Sequence, residues 1–115
     1  MNEIVSKMNE FLKMDSELEF VEFNKYYKNV MELLQKDYQN MTQEDLIQIS
    51  AVLQIVAANA LDRSNRKDEN HKKFKKMVEK SQFWFSAIEM RCRKEFGMSK
   101  QDFDAEVDKI FTDEE

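Results

Sequence analysis

No proline and a single glycine occur in these 115 residues. Hairpins and tight turns need such residues for their backbone angles, so the scarcity excludes an all-β fold. One cysteine, Cys92, leaves no internal disulfide and suits a reducing compartment. One histidine, His71, leaves nucleophile–imidazole catalysis with a single candidate, placed in the most polar part of the chain. Zinc sites need more Cys and His than this. Asp68 and His71 are three apart, but one such pair falls short of the two Glu-x-x-His units of a di-metal bundle. With one glycine there is no phosphate-cradling loop. Neither a basic N-terminal flank nor a long apolar leader is visible, so the expectation is a cytoplasmic, soluble protein with no cofactor and no membrane contact.

What the chain does have is helical patterning. The most apolar run is Leu46 to Leu61. Leu46, Ile49, Leu53, Val56, Ala57 and Ala60 fall on one face at roughly 100° per residue. Ile47, Ala51, Ile55 and Ala58 form a second row nearly opposite, with Gln48, Gln54 and Asn59 between. A helix apolar on two sides must be covered on two sides. Thr42 and Asp45 mark its start as an acidic capping box. At about 16 residues the run is shorter than the ~20 of a membrane span.

The remaining segments arrange themselves around it. Glu3 to Met14 reads as a first helix, with Ile4, Met8, Phe11 and Leu12 inward. Asp15 or Ser16 is the expected cap of a second helix, Ser16 and Glu19 having capping-box spacing, and that helix is predicted to run to about Gln39. Phe20, Phe23, Tyr27, Val30, Met31, Leu34 and Tyr38 line its core face. Between Leu61 and Phe74 the chain either loops or projects as a helix into solvent; in the second case Asn65 with Asp68 caps a long basic helix over about 66–96 that extends beyond the body. Its core side carries Phe74, Met77, Val78, Ser81, Trp84, Phe85, Ile88, Cys92 and Phe96, and Gly97 ends it. Ser99 and Asp102 start a fifth helix with Phe103, Val107, Ile110 and Phe111 inward, and Thr112 to Glu115 is expected to fray. The fold expected is a single all-α domain over 1–115, a small bundle of about five helices.

The net charge of −5 hides a pattern. Residues 1–62 carry five Lys against eleven acids, residues 63–94 eleven Lys or Arg against four, and residues 95–115 two Lys against eight. Arg63, Arg66, Lys67, Lys72, Lys73, Lys75, Lys76 and Lys80 therefore form a candidate nucleic-acid surface. The competing candidate is the outer face of the fourth helix. Phe83 points about 180° from Phe74, Met90 follows seven residues later, Ala87 lies close by, and Lys76 and Lys94 close the row. Apolar groups opposite a core stripe suit a second contact, with another helix of the same fold, with another copy or with a foreign protein. The function expected is a non-enzymatic interaction module, a small regulator or inhibitor that self-associates, with nucleic-acid binding through residues 63–80 the alternative.

Overall fold

A computed structural model describes residues 1–67 and 69–112. Among them are five α-helices and no strand. They are α1 (Asn2–Leu12), α2 (Phe20–Asp37), α3 (Gln43–Ser64), α4 (His71–Glu95) and α5 (Lys100–Lys109), with a 3-10 turn at Tyr38–Asn40. The Asp68 half of the expected cap and of the His71 pair, and the expected fraying over 113–115, lie outside the described residues.

α3 is the axis of the bundle. Thr42 Oγ1 accepts from Asp45 N–H and Asp45 accepts from Thr42 N–H, so two orphan donors at the helix start are satisfied reciprocally. Leu46, Ile49, Val52, Leu53, Val56 and Ala60 are all at most 1% exposed. At 22 residues α3 is longer than the apolar run, and by length and composition it could cross a bilayer. The length argument against a span therefore lapses. What marks α3 as a core helix is the neighbours that bury it.

Its largest partner is α4, 25 residues long and about 37 Å. Phe74 and Met77 near one end and Ile88 and Cys92 near the other are all buried, so α4 lies along the body and does not project from it. It begins at His71 rather than residue 66: α3 runs on through Ser64, and Asn65 is the C-cap of α3. Gly97, at φ +66°, turns the chain out of α4, and Met98 N–H returns to the Cys92 carbonyl. Phe96, expected in the core, sits at that end 38% exposed. Ser99 Oγ then accepts from Asp102 N–H to open α5, whose Phe103 is fully buried edge-on against Phe85.

The aromatic face of α2 meets α3 and α4, with Phe20 and Phe23 both against Phe74. α1 is held to α2 by Phe11 on the Tyr26 ring and by the Tyr26 hydroxyl, which donates to the Ile4 carbonyl at 2.7 Å. Leu12, expected inward, is half exposed. The Ser16–Glu19 box does not form: α2 starts at Phe20, and Glu19 as N-cap makes no side-chain hydrogen bond. Both ends of α2 are held from elsewhere. Arg63 of α3 donates to the Leu18 carbonyl just before it, and Arg91 of α4 donates to the Tyr38 carbonyl just after it.

Candidate functional site

The outer face of α4 is built from its helical phase. Ile88 and Cys92 are 0% exposed, whereas Phe83 is 67% exposed and Met90 57%. Around the helix Ala87, Met90, Lys76 and Lys94 all fall within about 40° of Phe83 on the side opposite the core, Ala87 half-buried and both lysines exposed. The sequence-predicted row is thus assembled. Two further residues share it, Glu79 at about 40° from Phe83 and Ser86 at about 60°. The same angular arithmetic reaches both, but their polarity hid them in a search for apolar anchors.

The row has a rigid backing. Phe83 meets Trp84 edge-on at 5.9 Å, and Trp84 meets Tyr38 at 5.2 Å. The Arg91 guanidinium lies 4.8 Å over the Tyr38 ring. It donates to the Tyr38 carbonyl, to the Gln39 and Met41 carbonyls at 3.4 Å, and from Nε to Glu95 at 3.1 Å. A cation held at the carbonyl end of a helix is also favoured by the helix dipole. Fixing Tyr38 and Trp84 in this way leaves Phe83 less rotamer entropy to lose on binding. The reach of Arg91 across 53 residues leaves no local signal in the sequence.

Beside the row, α3 and α4 enclose a groove of about 450 Å³, floored by Leu53, Ala57, Ala58, Leu61 and Phe85. Its other lining residues are Gln and Ser; none is charged, in a chain of which 36% is. Ser86 belongs both to this lining and to the flank of the Phe83 row, so the two are neighbours. Charge depletion at the centre with lysines at the rim is the composition of a protein contact.

The basic stretch is divided by the structure. Arg63 is a core residue, 5% exposed, between the rings of Phe23 at 4.8 Å and Phe74 at 5.5 Å. One terminal nitrogen donates to the Leu18 carbonyl at 2.6 Å. Its Nε lies 3.3 Å from Glu17 Oε2, an ion pair by distance whose angles make no hydrogen bond. Arg63 is therefore withdrawn from any phosphate surface. Arg66 is engaged by Glu17 at 2.8 Å and Asp62 at 2.6 Å. The Arg66 hydrogen bond, aided by the Arg63 charge, holds the Glu17 carboxyl below the usual carboxylate range despite some desolvation. Lys73 lies 5.3 Å over the Phe20 ring. Lys67, Lys72, Lys75, Lys76 and Lys80 are exposed, spread around the first turns of α4 and the turn before it.

Cys92 is fully buried, and burial pushes its thiol pKa up, against the thiolate a nucleophile needs. His71 is exposed at the start of α4. Among the described residues no three Cys, His, Asp or Glu side chains converge as a metal site would require. Comparison of the chain with family models, with curated proteins and with solved structures finds no match, so the argument for function rests on these surfaces.

Proposed function

We propose that the chain is a non-enzymatic protein–protein interaction module, a small cytoplasmic regulator in kind, whose contact surface is the outer face of α4. One observation carries the reading: Phe83 and Met90 are 67% and 57% exposed on a helix whose opposite side buries Phe74, Ile88 and Cys92, with Phe83 backed by Trp84 and Tyr38. A large aromatic ring held out to water by fixed neighbours is the anatomy of a binding anchor, and a rim of lysines adds steering. The nucleic-acid alternative has lost its two arginines to Glu17, Asp62 and the core, which leaves it a set of lysines that wraps around the helix.

The test is capture of protein partners from the native host by the wild type and by Phe83→Ala, each followed by mass spectrometry. Phe83 is so exposed that its truncation should cost under about 0.5 kcal/mol of stability, and circular dichroism verifies that the fold is kept. Loss of captured protein with Phe83→Ala is the expected result. Equal capture by both, or submicromolar binding of an oligonucleotide at physiological salt, overturns the reading.

A further inference from the structure

From Glu79 to Lys94, inward of Lys76, the outer row of α4 reads the same from both ends. Glu79, Phe83, Ser86, Ala87, Met90 and Lys94 are spaced by four, three, one, three and four residues, and all lie within about 60° of Phe83. When a helix pairs antiparallel with its own copy about a point between Ser86 and Ala87, each residue meets its mirror position. Phe83 then faces Met90 of the partner subunit, and Glu79 faces Lys94 of the partner subunit. Each contact occurs twice, as a two-fold interface requires.

We propose that the occupant of this face is a second copy of the chain, bound by antiparallel α4–α4 pairing in that register. The proposal rests on the reading that the outer face of α4 is a protein contact, and adds which protein and in which alignment. Three features select it. The charges are complementary only in the antiparallel sense: a parallel pair would set Glu79 against Glu79 and Lys94 against Lys94. The centre is small, Ser86 and half-buried Ala87, so the backbones can approach to the ~8 Å of close helix packing. The aromatic anchor meets a flexible thioether, a favourable sulfur–ring partner. Lys80 and Arg93 are also mirror positions in this register, a like-charge pair, but they stand on opposite flanks, about 60° and 80° from Phe83, and Arg93 already lies 3.9 Å from Glu89 of its own helix. A single helix pair buries less than the ~1,200 Å² of a standard interface, so the dimer is micromolar rather than obligate.

The experiment is a charge exchange read by sedimentation equilibrium across micromolar concentrations. Glu79→Lys and Lys94→Glu each turn two attractions into two repulsions and should raise the dimer dissociation constant roughly tenfold. The double variant restores both pairs and should return to within about threefold of the wild type. A second arm uses position rather than charge. Ala87→Cys stands next to its own copy across the axis and should form an intersubunit disulfide under mild oxidation. Lys76→Cys, far from the axis, should not, and buried Cys92 supplies the wild-type background. All the substituted side chains except Ala87 are exposed, and circular dichroism verifies the fold of each variant.

A double variant weaker than either single one, or faster cross-linking at Lys76→Cys than at Ala87→Cys, overturns the register. If Phe83→Asp abolishes a dimer that the charge exchange fails to rescue, the face stands and the alignment falls. A wild type that is monomeric at every concentration overturns self-pairing outright, and the fate of the interaction reading is then decided separately by capture with Phe83→Ala.

Discussion

Replacing Arg63 by alanine probes the least expected feature of the core. The side chain is 5% exposed, flanked by two phenyl rings, and donates to the Leu18 carbonyl at 2.6 Å. A charge-assisted hydrogen bond of this kind contributes about 1.5–3 kcal/mol. Two partly desolvated cation–π contacts add about 1–2 kcal/mol. Removing the charge also removes its own desolvation cost, which offsets part of this. The hole left by the stem restores some of the loss. The net expectation for Arg63→Ala is a destabilisation of about 3 kcal/mol, within a range of about 2–5. A chain of this size has on the order of 6–17 kcal/mol in total, so the variant should fold but sit close to its limit. Urea unfolding followed by far-ultraviolet circular dichroism measures it, with an unchanged m-value expected. Arg63→Met keeps a stem between Phe23 and Phe74 but leaves Leu18 without its donor, and should recover about half of the loss. A loss below about 1 kcal/mol for Arg63→Ala would show that the guanidinium is solvated, and would put Arg63 back on the basic surface.

Two pH dependences follow from the same structure. The folded Glu17 carboxyl lies below its ordinary value of 4.5. Its contribution is therefore complete above that value and is lost as pH falls through the lower, folded one. The stability difference between wild type and Glu17→Gln should be flat near neutrality and shrink in acid; at 44% exposure it should not exceed about 1 kcal/mol. A difference that grows in acid would be the opposite sign and would contradict the Arg66 contact. Burial raises the Tyr26 phenol above 10.0, so its neutral form is the stabilised one, and stability should fall as pH rises past the unfolded value near 10. Tyr26→Phe should cost about 1–2 kcal/mol at neutral pH by losing the bond to Ile4. It should also show a shallower alkaline decline, the remainder coming from Tyr27, whose phenol is raised by burial too; an unchanged alkaline slope would place Tyr26 in water.

The elements that were legible in the sequence are those whose signals are local. Thr42 and Asp45 satisfy each other within one turn, Gly97 supplies a positive φ that no neighbour has to enforce, and Ser99 needs only Asp102. The exposure of Phe83 and Met90 was also legible, because helical phase is fixed once a core stripe is known. The Ser16–Glu19 pair had the same spacing as Thr42–Asp45 and no box formed. Residues 17 and 18 are instead engaged by Arg63 of α3 and by Arg66 just beyond it. Arg63 itself reads in sequence as one more cation in a basic run. Only tertiary packing places it between two rings whose residues lie in α2 and α4. The start of α4 is hidden for a related reason: the polar stretch after Leu61 holds the last turn of α3, which contains the buried Arg63.

The external hold on α2 bears on how the molecule comes apart. Glu19 at the start of α2 makes no side-chain capping hydrogen bond, and Tyr38 at its end caps through its backbone N–H, to the Leu34 carbonyl. Its stops come from Arg63, 45 residues from Leu18, and Arg91, 53 residues from Tyr38. Helix ends ordinarily fray at little cost, independently of the rest. Here the chain at either end of α2 can loosen only if an arginine of α3 or α4 gives up its carbonyls. The limits of α2 thus belong to the assembled bundle, and a peptide of residues 15–41 alone would lack them. In amide hydrogen exchange, protection at both termini of α2 should track the opening of α3 and α4, joining three helices into one cooperative unit.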